Sequence, residues 1–175
     1  MSEPLPSPRI VLLRHATAQE PRPDLPDARR ELVAKGERQA RDVAAWCRRQ
    51  GLRPGRLLTS PLPRAAQTAA LLAGHLGDCP APEPADWLQI GTPPAVSLAR
   101  VQDLMHALMR LPGPPEPWLV GHEPDLSGLI AALLHSPRPV LWPKKASLTA
   151  LDWPDGIDAP ARLLWHLPCA LMGAA

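Results

Sequence analysis

The sequence predicts an α/β fold: a mostly parallel sheet with helices packed on both faces. Three observations carry that prediction. Short apolar runs alternate along the chain with longer stretches whose apolar positions recur every three to four residues. The resulting order, β α β α α β α β β, is that of a parallel sheet whose crossovers are helical. The length, 175 residues, suits one core, and a chain of that size buries roughly 70% of the surface it exposes when unfolded.

Each element has its own local reason. Residues 1–8 read as a loose, Pro-rich leader to Arg9–Arg14 (RIVLLR), a buried strand of branched apolar residues. Residues 20–27 (EPRPDLPD) are a loop broken by proline. From Gly36 to Gln50, apolar Ala40, Val43, Ala44 and Cys47 recur at i, i+3, i+4, i+7, an amphipathic helix closed by Gly51. Arg56–Ser60 (RLLTS) is a second strand stopped by Pro61. Pro63 suits the first turn of the next helix, whose face is Ala69, Leu72, Ala73 and Leu76, up to Gly77. The Pro-rich stretch 78–94 has no clear period. Val101, Leu104, Met105 and Leu108 make a helix that ends at PGPPEP, and Trp118–Gly121 is a strand. Leu126, Leu129, Ile130 and Leu133 form another helix. Ser147–Trp153 and Arg162–Leu167 are final strands around a turn at Pro154–Gly156. No internal repeat or long linker divides the chain, so residues 1–175 read as one domain.

Composition excludes several classes of function. With 45% hydrophobic and 21% charged residues the chain is globular rather than disordered. A net charge of +2 gives no electrostatic case for nucleic acid or an anionic membrane as main partner. No run approaches the ~18 apolar residues of a membrane span, and the N-terminus lacks a secretory pattern. Cys47, Cys79 and Cys169 are too few and too scattered for a disulfide framework or a metal knuckle, which predicts a reducing, cytoplasmic setting. Phe and Tyr are absent, so Leu, Ala, Val and six Trp must fill the core.

In such folds, ligands gather where strands end at their carboxyl side. The first strand ends in Arg14-His15-Ala16-Thr17, the second leads into Ser60-Pro61-Leu62-Pro63-Arg64, and the third ends in Gly121-His122-Glu123. Any single His or Arg there is ordinary. Two guanidiniums and two imidazoles delivered to one region describe an anion site. The planar fork of Arg matches phosphate oxygens, and imidazole attacks phosphorus as a nucleophile. No Gly-rich phosphate loop of the GxxxxGK[ST] type is present. The six His lack the i, i+4 spacing or HExxH pattern of a metal site, so neither cofactor nor metal is expected.

LLRHATA (12–18), GERQA (36–40), SPLPRAAQTA (60–69) and LVGHEPDL (119–126), in that order, resemble the histidine phosphatase superfamily, also called phosphoglycerate mutase-like. Within it the chain is most similar to the small SixA-type phosphohistidine phosphatases. Arg30–Gly36 resembles that branch's RPLTxxG segment, and Trp142–Ala146 its late Lys-Gly/Ala approach to a strand. The resemblance implies a three-layer α/β/α sandwich with His15 as a transiently phosphorylated nucleophile. Arg14, Arg64 and His122 would clamp the phosphoryl group without a metal. Arg14-His15-Ala16 departs from the commoner RHG, and Ala18 and Gln19 stand where mutase-like members carry Ser and Asn, which argues against a mutase. Val33 replaces the Thr of LTxxG, a helix cap worth roughly 1 kcal/mol.

The general acid is open: Glu123, Asp86 or none. Glu123 reads equally as a helix-start residue, favoured by the positive helix end. Thr17 has two readings, a donor to a phosphate oxygen or a loop-capping hydroxyl. The predicted substrate is a phosphohistidine on a partner protein, such as a histidine-containing phosphotransfer domain. The alternatives are a small phosphate ester, either a sugar phosphate or an intermediate of cofactor synthesis, and a non-catalytic phosphate- or phosphohistidine-binding module. If His15 must be unprotonated to attack, activity should fall on the acid side near imidazole's ~6.5.

Overall fold

The computed structural model describes residues 7–112 and 116–173. Residues 1–6 of the leader and residues 113–115 of the PGPPEP stop lie outside the described residues. The chain runs β1 (Arg9–Arg14), α1 (Ala34–Arg49), β2 (Arg56–Thr59), α2 (Pro63–Leu76) and β3 (Glu83–Pro84). It continues through α3 (Pro94–Leu108), β4 (Pro117–Gly121), α4 (Asp125–Leu133), β5 (Leu148–Asp152) and β6 (Arg162–Leu167). Short 3-10 turns occupy Asp27–Arg29, Asp86–Leu88 and Cys169–Leu171.

The six strands form one sheet in the order β3-β2-β4-β1-β5-β6, in which β5 alone runs opposite to the others. Alternation along β1 divides the core between the two faces. Val11 and Leu13 pack with Val43 and Ala44 of α1 and Ala69 and Leu72 of α2. Ile10 and Leu12 pack with Val101 and Met105 of α3 and Leu129 and Ile130 of α4. The three-layer α/β/α arrangement therefore follows from a strand that is apolar on both sides.

Three departures from the sequence reading have local causes. Helix α3 begins at Pro94, seven residues before the periodic stretch, because its buried face is thin (Ser97, Val101 and Met105) and its first turn has no apolar repeat. The ambiguous stretch 78–94 supplies a two-residue edge strand and a 3-10 turn, too short to show any period. Trp142, expected to serve as packing, is 66% exposed, whereas Trp118 and Trp153 are buried and Trp46 meets Trp165 edge-on at 5.9 Å.

The start of α1 bears directly on the site. Its N-cap is Val33, which makes no side-chain cap, as expected from the missing Thr. The Val33 N–H ties this helix start to the loop after β1, donating to the Thr17 carbonyl at 3.1 Å. Gly36 then lies so close to that loop that a Cβ would stand 2.0 Å from the Thr17 carbonyl oxygen. Only glycine lets the helix press against the segment after His15.

Candidate active site

Register brings the polar strand ends together. Arg14 of β1 pairs with Gly121 of β4, and Thr59 of β2 pairs with Val120, so the three parallel strands stop at nearly the same level. The His15 N–H donates to the Gly121 carbonyl and the Ser60 N–H to the Val120 carbonyl, both at 2.9 Å. Beyond that level the His15 and His122 rings meet with centroids 5.0 Å apart. Arg64 enters from the first turn of α2 and is 1% exposed.

Each side chain is oriented by a neighbour. His15 Nδ1 lies 2.7 Å from the Ala16 carbonyl and donates to it, which leaves Nε2 with the lone pair. The Ser60 hydroxyl accepts the Leu62 N–H at 3.3 Å and meets His122 Nε2 at 2.8 Å. With Ser60 donating to Nε2, the His122 proton sits on Nδ1. Arg14 donates from one terminal nitrogen to the Pro143 carbonyl at 2.8 Å. The Thr68 hydroxyl ties α2 to the loop after β1, donating to the Arg64 carbonyl at 2.7 Å and accepting the Ala16 N–H at 3.1 Å.

Among the described residues, Arg14 Nε, Arg64 Nε and His122 Nδ1 are buried donors with no partner in the protein. A buried donor left unpaired costs about 1–3 kcal/mol. Three in one cluster need an acceptor with several oxygens, and a tetrahedral oxyanion matches that need.

Two functional contacts escaped the sequence reading. Asp27, at the end of the Pro-broken loop, takes both terminal nitrogens of Arg64, one on its carbonyl and one on its carboxylate, each at 2.8 Å. Arg30 holds the same carboxylate from the other side at 2.7 Å. Gln39 accepts from both the Thr17 N–H at 2.9 Å and the Thr17 hydroxyl at 2.8 Å. Spacing gave no hint of Asp27, 37 residues before Arg64. The DxxR pair formed with Arg30 was the one local signal.

The remaining candidates are placed as follows. Of the two readings for Thr17, the Gln39 bond uses the hydroxyl proton to hold the loop. Glu123 is half-buried, and its carboxylate accepts the Ser127 N–H at 3.1 Å and, on the other oxygen, the Ser127 hydroxyl. Asp86 bonds Gln89 at 3.3 Å and lines a groove with Arg56 and Arg100. Among the described residues no group of three or more His, Cys, Asp or Glu side chains stands ready for a metal ion. No helix among them is long and apolar enough to cross a membrane.

Burial sets the charge state. Desolvation, reinforced by Arg64, Arg14 and Lys145 against the opposing Ala16 bond, lowers the His15 pKa to about 4. Desolvation, then the proximity of His15 and Arg64, lowers His122 to about 3. Both imidazoles are therefore neutral at pH 7, well below the ~6.5 of free imidazole. Burial raises the Glu123 carboxyl, opposed by its Ser127 bond and by Arg14. The Arg30 bond, joined by that of Arg64, holds Asp27 below the usual carboxylate range against the opposing effect of desolvation.

Known proteins resemble this chain in part of its sequence and in its fold. The model of the histidine phosphatase superfamily (branch 1) matches residues 10–89. No curated protein matches the chain by sequence. The fold is similar to that of the protein histidine phosphatase SixA complexed with tungstate, with a TM-score of 0.80 at 20% identity over 94% of this chain and 99% of that one. SixA of Agrobacterium tumefaciens gives 0.71 at 23% identity, covering 92% and 97% of the two chains. A mycobacterial glucosyl-3-phosphoglycerate phosphatase gives 0.69 at 22%, covering 93% and 100%. The sequence pattern of the histidine phosphatase superfamily thus runs through β1, α1, β2 and α2, and the whole chain adopts a fold similar to that of SixA.

Proposed function

We propose that the protein is a phosphatase that works through a covalent phosphohistidine at His15, with protein phosphohistidine as its substrate. The observation that carries the reading is the trio of unpaired buried donors around an imidazole whose other nitrogen is already fixed. His15 Nε2 attacks phosphorus in line, the new N–P bond forms as the bond to the leaving nitrogen breaks, and that nitrogen leaves carrying a proton. Water then attacks the phosphohistidine and restores His15. A neutral His15 needs no base to free its lone pair. Arg14, Arg64 and His122 match the charge spread over the equatorial oxygens of a loose transition state.

An imidazole leaving group departs readily once protonated, so an N–P substrate makes little demand on an enzyme acid. Glu123, with its raised proton affinity, is the candidate donor for a poorer leaving group. The free thiols of Cys47, Cys79 and Cys169 support a reducing, cytoplasmic setting. The similarity to a glucosyl-3-phosphoglycerate phosphatase favours small phosphate esters as the second reading.

The test is ³²P transfer from a phosphorylated substrate. An acid-labile, base-stable label on the protein, lost in His15→Ala, is the expected result. A protein that binds phosphate but never acquires the label is a binding module instead. Turnover of small esters alongside inertness toward a histidine-phosphorylated protein would transfer the assignment to the second reading.

A further inference from the structure

Beside the phosphoryl clamp runs a groove of about 310 Å³ lined by Arg14, Thr17, Lys35, Gln39, Lys144 and Lys145, among others, with four cations and no carboxylate in its lining. Two other grooves carry acidic side chains. Arg56 and Arg100 share theirs with Glu83 and Asp86, and Glu31 and Glu37 line another. Glu20 lies 3.9 Å from Lys145 but is itself 80% exposed, a pairing too loose to neutralise the cluster.

The lysines are held in place by the backbone. Arg14 donates to the Pro143 carbonyl, and the Arg14 N–H donates to the Ser147 carbonyl at 3.3 Å. The Ala146 N–H reaches the Arg14 and His15 carbonyls at 3.1 and 3.3 Å. Ala146 turns through a left-handed conformation, φ 58°, which an L-residue adopts only where its surroundings hold it. These bonds bind the 143–147 turn to the catalytic strand end, so Lys144 and Lys145 stand beside the clamp by construction. Trp142, next in the chain to Pro143, is 66% exposed, and Val140 is 53% exposed. An exposed Trp beside a fixed cationic groove is the composition of a protein interface, where Trp and Arg are enriched.

We propose that the groove and the Val140–Lys145 segment form the docking surface for an acidic protein face that presents the phosphohistidine. The proposal rests on the protein-directed reading above. An unneutralised cationic lining selects an acidic occupant, and the exposed indole gives that occupant an apolar anchor. Small esters fill only the clamp at His15.

The test compares two substrates, p-nitrophenyl phosphate and a histidine-phosphorylated phosphotransfer protein with acidic residues around its phosphohistidine. The variants are Lys35→Glu/Lys144→Glu and Trp142→Ala; Lys145 is left intact because its charge reaches His15. The expected result is a KM for the phosphoprotein raised roughly tenfold or more, with kcat and the p-nitrophenyl phosphate constants within about twofold. Neutralising the acidic residues on the phosphoprotein should give the same loss with wild-type enzyme. An unchanged phosphoprotein KM, or a parallel loss on both substrates, overturns the docking surface while leaving the protein-directed reading intact. Wild-type enzyme that hydrolyses p-nitrophenyl phosphate but not the phosphoprotein overturns both.

Discussion

Replacing His15 with Asn removes one titrating imidazole from the buried pair and keeps a side chain of similar reach. In the folded protein His15 is 5% exposed and titrates near 4, against about 6.5 for the unfolded chain. Between those values the unfolded state binds the extra proton, so stability rises with pH and is lost on acidification. Integrated from pH 7.5 to 4.5, His15 alone withdraws roughly 2–3 kcal/mol. His122, lowered to about 3, acts in the same direction, and Glu123, raised by burial, acts against it. Urea unfolding at the two pH values should therefore show wild type losing roughly 2–3 kcal/mol more than His15→Asn. Imidazole proton NMR should place the His15 titration near pH 4, and the enzyme-side acid limb of kcat/KM should fall there instead of near 6.5. Equal losses in the two proteins, or a His15 resonance that titrates at 6.5, would refute the claim that burial keeps His15 neutral.

Further substitutions probe the other parts. Arg64→Lys keeps the charge but cannot bond the Asp27 carbonyl and carboxylate together while facing the oxyanion. Its kcat/KM should fall roughly 10²–10³-fold, and a loss under fivefold in steady-state assays would remove the need for the fork. Gly36→Ala forces a Cβ against the Thr17 carbonyl and should cost about 2–3 kcal/mol, lowering Tm by roughly 5–10 °C in calorimetry. An unaltered Tm would mean that the loop after His15 yields freely. Glu123→Gln keeps an oxygen for Ser127 and removes the acidic proton. Hydrolysis of an alkyl phosphate should drop about 10²-fold while that of phosphohistidine changes less than fivefold, and equal effects on both would contradict the leaving-group reasoning.

The elements most legible in the sequence were those bracketed by strong local signals. RIVLLR is apolar on both sides and matches β1 at both ends, and Pro63 at the first turn with Gly77 after the last marks α2 to the residue. The periodic signal of helix α3 begins only at Val101, because a thin buried face leaves its first turn without a period. The four residues His15, Arg14, Arg64 and His122 were legible as candidates because each follows a recognisable strand. Asp27 was not, because its role exists only through a contact across 37 residues. Gln39 likewise gains its part by lying on the α1 face that Gly36 presses toward Thr17.

By itself the sequence determined the four helices and five of the six strands, and that two guanidiniums and two imidazoles stand at strand ends. Those features rest on local periodicity, prolines and residue chemistry. Only the tertiary structure decided that Arg64 is gripped by Asp27, that Trp142 faces solvent and that both imidazoles are neutral at pH 7. Partner choice and desolvation depend on where distant segments meet, and no window of neighbouring residues contains that information.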